Sequence, residues 1–156
     1  MQRSEQLQYV LDKQLAWISA ADARLRFLVP VSTAMLGALV VYVPEEMDWC
    51  SWNGLFVGCA VFLLLASIFF AACATFPRTS GSHGSMIFFG GIVSKGSVGY
   101  KKAVTSMQEE SYIDDLAEQC YVNAVIASKK FKWIRFGMGS LFAAMVPWVG
   151  SIYLAC

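Results

Sequence analysis

The sequence has a single histidine, His83, and its five cysteines (50, 59, 73, 120 and 156) form no CxxC pair. That combination excludes the usual zinc sites and a Cys/His nucleophile. There is no GxSxG elbow, Walker loop, HExxH or dinucleotide fingerprint. The glycines of SGSHGS and FFGGI lack the lysine and the following helix that a phosphate cradle needs. An enzyme is therefore disfavoured, and no catalytic residue, metal or cofactor is expected. Charge is scarce as well, at 15 % of residues against roughly 25 % in ordinary soluble domains. It is missing altogether from residues 27–44, 49–77 and 136–156. Spans without an acid or base disfavour a proton relay or an ion-coupled transporter subunit.

What fills those gaps is apolar. About 20 apolar residues, range roughly 17–25, carry a helix across a bilayer. All three runs qualify, and three such helices leave too little polar surface to coat a soluble globule. The expected fold class is an all-α membrane protein with three transmembrane helices. The first run follows a charged 26-residue segment, unlike the short basic start of a cleavable signal peptide. Of the 12 Lys and Arg residues, four precede residue 27, eight lie between Arg78 and Arg135, and the EEMD turn at 45–48 has none. The positive-inside rule then places the N-terminus and the middle segment in the cytoplasm and the C-terminus outside. Cys59, Cys73 and Cys120 read as small apolar residues. Cys50 and Cys156 fall on the outer side, where a disulfide is open to them without being implied.

Apolar or small residues recur at 7, 11, 18, 21, 25 and 28, interrupted by Gln14, close to a 3.5-residue repeat. Ser4 is a candidate cap, although Leu7 stands where a capping box wants Glu or Gln. Pro30 kinks a helix rather than ending it, so one helix is expected over 4–43, with its span at 27–44, ended by Pro44. A second span follows at 53–76. The Gly/Ser-rich loop at FPRTSGSHGS and short helical pieces fill 77–108, MIFFGGIVSKG being too short to cross. A long helix is expected over 109–155, with its span at 136–155, in one single domain. Its stripe is Ile113, Ala117, Cys120, Ala124, Ala127, Phe131 and Ile134, small enough for close approach of another helix. The first and last helices thus extend as a cytoplasmic stalk, each extension roughly 35 Å long. Their stripes call for cover by each other or by further copies, hence a homo-oligomer.

Polar groups gather where helices meet the membrane. Arg24, Arg26, Lys129, Lys130, Lys132 and Arg135 form a basic collar, which suits lipid headgroups at about 1 kcal/mol per base. Asp22 does not suit them. It lies on the face of Leu11, Leu15 and Ile18, and a carboxylate there needs a partner. The candidates are Arg26 at i+4, a collar cation on the last helix, or a ligand. EESYIDDLAE at 109–118 reads as a solvated helix start. Phe88, Phe89, Tyr112 and Tyr121 are aromatics able to stack on a base, packing being their commoner role. Gly139 and Ala143 form a small-xxx-small pair that favours helix association.

Taken in order, three segments resemble one family. LQYVLDKQLAWISAADARLRFLVPVSTAMLGAL resembles the opening of the transmembrane Pycsar effectors, where an Ala-Asp-x-Lys/Arg motif precedes the first span. PRTSGSHGSMIFFGGIVSKGSVGYKKAV is similar to their loop with its aromatic-Gly segment, and SYIDDLAEQCYVNAVIASKKFKWIRFGMGSLFAAM to their last helix. The resemblance implies bacterial antiphage defence at the inner membrane. A partner cyclase makes a cyclic pyrimidine mononucleotide, cCMP or cUMP, and the effector senses it and disrupts the membrane. It maps Ala21, Asp22 and Arg24 onto the first motif, Phe88, Phe89 and Gly90 onto the second, and Lys129 onto the lysine before the last span. Arg24 stands where lysine is common, and Gly91 where a polar residue is usual. The candidate ligand-binding set is Asp22, Arg24, Arg26, Phe88, Phe89, Tyr112, Lys129 and Lys130, with membrane lipid as a further partner and no nucleic acid. The alternative is a constitutive scaffold membrane protein in which Asp22 pins helix register.

Overall fold

A computed structural model describes residues 3–43, 48–76 and 84–155. Pro44, His83, Cys156 and most of the Gly/Ser-rich loop lie outside the described residues. Four helices follow in order: α1 (Arg3–Tyr42), α2 (Trp52–Thr75), α3 (Phe89–Thr105) and α4 (Glu109–Ala155). No strand occurs among the described residues. α1, α2 and α4 are long and apolar enough to cross a membrane. The chain groups into two compact units. One takes Met1–Ala20 and Pro77–Lys129, the other Ala21–Phe76 and Lys130–Cys156. Both boundaries fall inside helices, since α1 and α4 continue without a break.

In the second unit three apolar helices share one seam. α2 buries Val57, Ala60, Leu64, Ser67, Ala71 and Ala74, and α4 buries Ile134, Gly137, Leu141, Ala144 and Ser151. Their steps of three and four are the knobs-into-holes spacing. α1 adds Ala21, Leu25, Leu28, Ser32 and Leu39. Alanine, serine or glycine at nine of these sixteen positions lets backbones approach closely, which replaces the hydrophobic drive that lipid cannot supply. Midway along the seam the Ser67 hydroxyl donates to the Gly137 carbonyl at 2.9 Å, and the Ser32 and Ser67 oxygens lie 3.1 Å apart. A hydroxyl has one proton, so Ser32 donates to Ser67, and one chain of bonds joins all three helices. A Cβ on Gly137 would lie 2.9 Å from Leu28 Cδ2. Nearer the C-terminus of α4, Trp148 Nε1 donates to the Met35 carbonyl at 3.0 Å. Pro30 and Pro147 sit inside helices that continue through them. Each has no N–H for the carbonyl four residues earlier. Val40, Val41, Phe62 and Phe69 face outward, as side chains in contact with lipid do.

The first unit joins the start of α1, α3 and the start of α4. Leu116, Gln119, Cys120 and Ala127 are its buried residues from α4, whereas Ala117 and Ala124 of the expected stripe are exposed. Cys120 and Ala127 thus lie on the buried face as expected, and Leu116 and Gln119 take the buried places on either side of exposed Ala117. Gln14 keeps the interrupting role it has in the sequence, because its Oε1 is buried without a partner among the described residues. Ser4 lies within α1, which already starts at Arg3. α3 bends at Gly96, whose φ of 63° is a left-handed conformation that glycine adopts without strain. Gly139 and Ala143 are exposed, and a Cβ on Gly139 would meet nothing within 4 Å, so close approach within the chain falls to Gly137 instead.

Cys120 Sγ lies 3.5 Å from the Leu7 carbonyl and is 7 % exposed, and burial pushes its thiol pKa up. Cys50 is exposed. In a Cys156→Ser variant, the orientation expected from charge predicts that a membrane-impermeant maleimide labels Cys50 in intact cells. Cys120 should stay unlabelled until permeabilisation, and then react slowly at neutral pH because little thiolate is present. Mass spectrometry of the labelled chain checks both outcomes.

Candidate functional site

Two constellations gather the polar chemistry, one in each unit. In the second unit Asp22 of α1 meets Lys130 of α4, with Nζ 2.5 Å from Oδ1. The side chains keep 18 % exposure for Lys130 and 41 % for Asp22. Of the three candidate partners for Asp22, the fold supplies the collar cation on the last helix, and Arg26 is exposed. The tertiary pairing wins over the i+4 neighbour because Lys130 lies on the α4 seam, between Ala127 and Ile134, and faces α1. Two residues along, the Arg24 guanidinium stands 5.4 Å over the Phe131 ring. That is a cation–π arrangement, worth about 0.5–1 kcal/mol where exposed. So α1 and α4 are joined by a charge pair and a cation–π pair, two residues apart on α1 and adjacent on α4.

In the first unit a short loop before α3 is bonded on nearly every polar atom. The Ser85 hydroxyl accepts from the backbone N–H of Ile87 and Phe88 at 3.1 and 2.9 Å. Asp115 accepts from the Met86 N–H at 2.6 Å. Lys95 Nζ donates to the carbonyls of Gly84 and Ser85 at 2.6 and 3.0 Å, and Tyr100 donates to that of Met86 at 3.3 Å. Buried Gln119 donates to the Ser85 hydroxyl at 3.2 Å. Gly91 presses on this loop so closely that a Cβ would fall 2.4 Å from the Ser85 carbonyl oxygen. A side chain of any kind is excluded there, which accounts for glycine at that position. Beside the loop lies a pocket of about 470 Å³ whose lining includes Ser85, Ser106, Ser111, Asp114, Asp115 and Glu118. Three carboxylates and no base line it, so it repels a phosphate and suits donors such as hydroxyl or amino groups.

Of the aromatics singled out in the sequence, Phe88 and Phe89 lie together, ring centroids 4.5 Å apart. Phe89 is exposed. The Tyr112 hydroxyl accepts from Gln8 Nε2 at 3.0 Å. The sequence reading missed Ser85, Lys95, Asp115 and Gln119. Only Gln119, a polar residue one turn from Leu116 on the buried face, carried a signal that could have found it. No group of three or more potential metal ligands occurs among the described residues.

The Pycsar effector protein domain, taken as a family model, matches residues 6–155. The chain belongs to the Pycsar effector family. One curated relative is the Pycsar effector protein GmPycTM of Gulbenkiania mobilis, 28 % identical over 74 residues. Those residues make up 47 % of this chain and 38 % of that relative, so the match spans well under half of the relative's length. No solved structure matches the chain. Family membership together with three apolar helices makes this Pycsar effector a membrane protein.

Two substitutions test this geometry. Gly91→Ala should destabilise the first unit by about 1–3 kcal/mol, the range for overpacking, because the added methyl meets backbone. Protease sensitivity around residue 85 should rise with it. For the charge pair, a double-mutant cycle of Asp22→Ala and Lys130→Ala in detergent should give a coupling of about 1–2 kcal/mol. That lies above most exposed pairs and below the loss on breaking a buried one. Zero coupling in an unfolding titration contradicts the assigned pairing.

Proposed function

We propose that this chain is an antiphage defence effector that senses a cyclic pyrimidine mononucleotide, cCMP or cUMP, and disrupts the bacterial inner membrane in response. Membership of the Pycsar effector family supports the defence role. The observation that carries the sensing step is the pair of Asp22 and Lys130, a partly exposed ion pair joining α1 to α4 beside the uncharged runs. A cyclic phosphate is an anion that competes with Asp22 for the lysine. Capture of Lys130 by the phosphate frees Asp22, removes one of the links between the two helices, and loosens their packing where the membrane spans begin. Arg26 and Lys129, both exposed, add positive charge that steers an anion toward this end. Of the aromatics singled out in the sequence, Phe89 and Tyr121 are exposed, whereas Tyr112 is bonded to Gln8.

In this reading α1 and α4 form a cytoplasmic stalk in an oligomer, the N-terminus is cytoplasmic and the C-terminus outside. The scaffold alternative keeps the ion pair as a register pin and gives it no ligand.

Titration calorimetry on the purified chain should show binding of cCMP or cUMP and none of inorganic phosphate. Lys130→Gln should weaken nucleotide binding by tenfold or more, the scale of one charge-assisted contact. Asp22→Asn should lower the nucleotide level at which membrane potential collapses in cells carrying a cyclase. If neither nucleotide binds and Asp22→Asn only lowers protein level, the scaffold reading holds instead.

A further inference from the structure

The second unit has a groove between α1 and α4, about 320 Å³ in volume. Phe27, Leu28, Met138, Leu141 and Phe142 line it, with Arg24 at its edge. Apart from that guanidinium, its side chains are entirely apolar. Arg24 precedes the first uncharged run by three residues, and Met138 to Phe142 belong to the last one. The groove therefore starts at the charge boundary and continues along the apolar helices.

Arg24 is unspent. Its guanidinium carbon lies 5.4 Å from the Phe131 ring centroid, a cation–π contact that uses up no N–H donor as a hydrogen bond. None of them meets a protein acceptor among the described residues, and Asp22, the one nearby acid, is taken by Lys130. Residues 21–26 and 130–135 together carry five bases and one acid. A fixed guanidinium at the rim of an apolar slot, in a positively charged neighbourhood, fits a ligand with an anionic phosphate at one end and a hydrocarbon chain at the other. A nucleotide fits poorly, because nothing beyond Arg24 would satisfy its ribose hydroxyls. A guanidinium pairs with phosphate through two parallel N–H bonds, and the acyl chain replaces lipid that would otherwise pack loosely against the slot.

We propose that this groove is a binding site for one anionic phospholipid of the phosphatidylglycerol class, with its phosphate on Arg24 and one acyl chain between Phe27 and Phe142. The inference goes beyond the nucleotide reading and is tested with no nucleotide present, so either can fail alone.

The purified full chain is mixed with phosphatidylglycerol or phosphatidylcholine of identical acyl chains and examined by native mass spectrometry. Phosphatidylglycerol should be retained about tenfold more than phosphatidylcholine. Arg24→Gln should remove that preference, and Arg26→Gln should keep it. Ala23→Phe places a ring in the groove and leaves Arg24 intact, so it should lose lipid retention while the helical content seen by circular dichroism is unchanged. Glycerol 1-phosphate, the headgroup without chains, should fail to displace the lipid. Equal retention of the two lipids, an Arg24→Gln variant that still prefers phosphatidylglycerol, or displacement by glycerol 1-phosphate overturns the proposal. So does a lipid-free dimer with Phe142 buried against a second copy.

Discussion

Hydrocarbon offers no partner to a hydroxyl or a carbonyl, so each polar atom buried among apolar helices must be satisfied from within. In this chain that constraint joins three helices at the middle of the seam. Ser67 of α2 reaches the Gly137 carbonyl of α4, and Ser32 of α1 completes the chain of bonds. Glycine at 137 suits that closeness, since a Cβ there would come 2.9 Å from the tip of Leu28 and 3.4 Å from the Ser67 carbonyl oxygen. The alanines at 60, 71, 74 and 144 follow from the same closeness, since larger residues there would hold the helices apart. Phe70, stacked near Trp133 and Phe136 at about 6 Å, then fills the space left at the edge of the seam.

Polarity is graded along that seam. Its middle is held by neutral hydroxyls, whereas the ion pair sits outside the uncharged runs, where both partners keep some contact with water. Placement there lowers the desolvation cost that makes buried ion pairs weak stabilisers. It also answers why a carboxylate stands among anchoring bases. Asp22 neutralises the single collar lysine that the seam turns inward, and the exposed bases need no such partner.

Much of this was legible in the sequence. Three uncharged runs of adequate length dictate three spanning helices, because apolar length is the whole requirement. The chemistry of Asp22 demanded a partner, with Arg26, a collar cation on the last helix or a ligand as the candidates. Choosing Lys130 over Arg26 needed the tertiary pairing of α1 with α4, which spacing within one helix cannot supply. The stripe on α4 was misjudged at Ala117 and Ala124, which are exposed, while Leu116 and Gln119 are buried. Alanine carries little preference for either side, so it marks a helix face poorly. The loop at Ser85 was invisible for a different reason. Its bonds join residues about 10 to 34 apart in sequence, and serine, lysine and aspartate at such intervals resemble ordinary surface residues.

The seven-residue spacing on α2 and α4 has a mechanical consequence. Steps of three and four impose a left-handed supercoil, and equivalent positions recur only once per heptad, about 10 Å along the axis. Moving α2 lengthwise by a single residue, about 1.5 Å, would pull Ser67 off the Gly137 carbonyl that it now reaches at 2.9 Å. Piston-like travel of one helix past another is thus penalised until nearly two full turns have gone by. Tilting or splaying about the serine contact preserves that register.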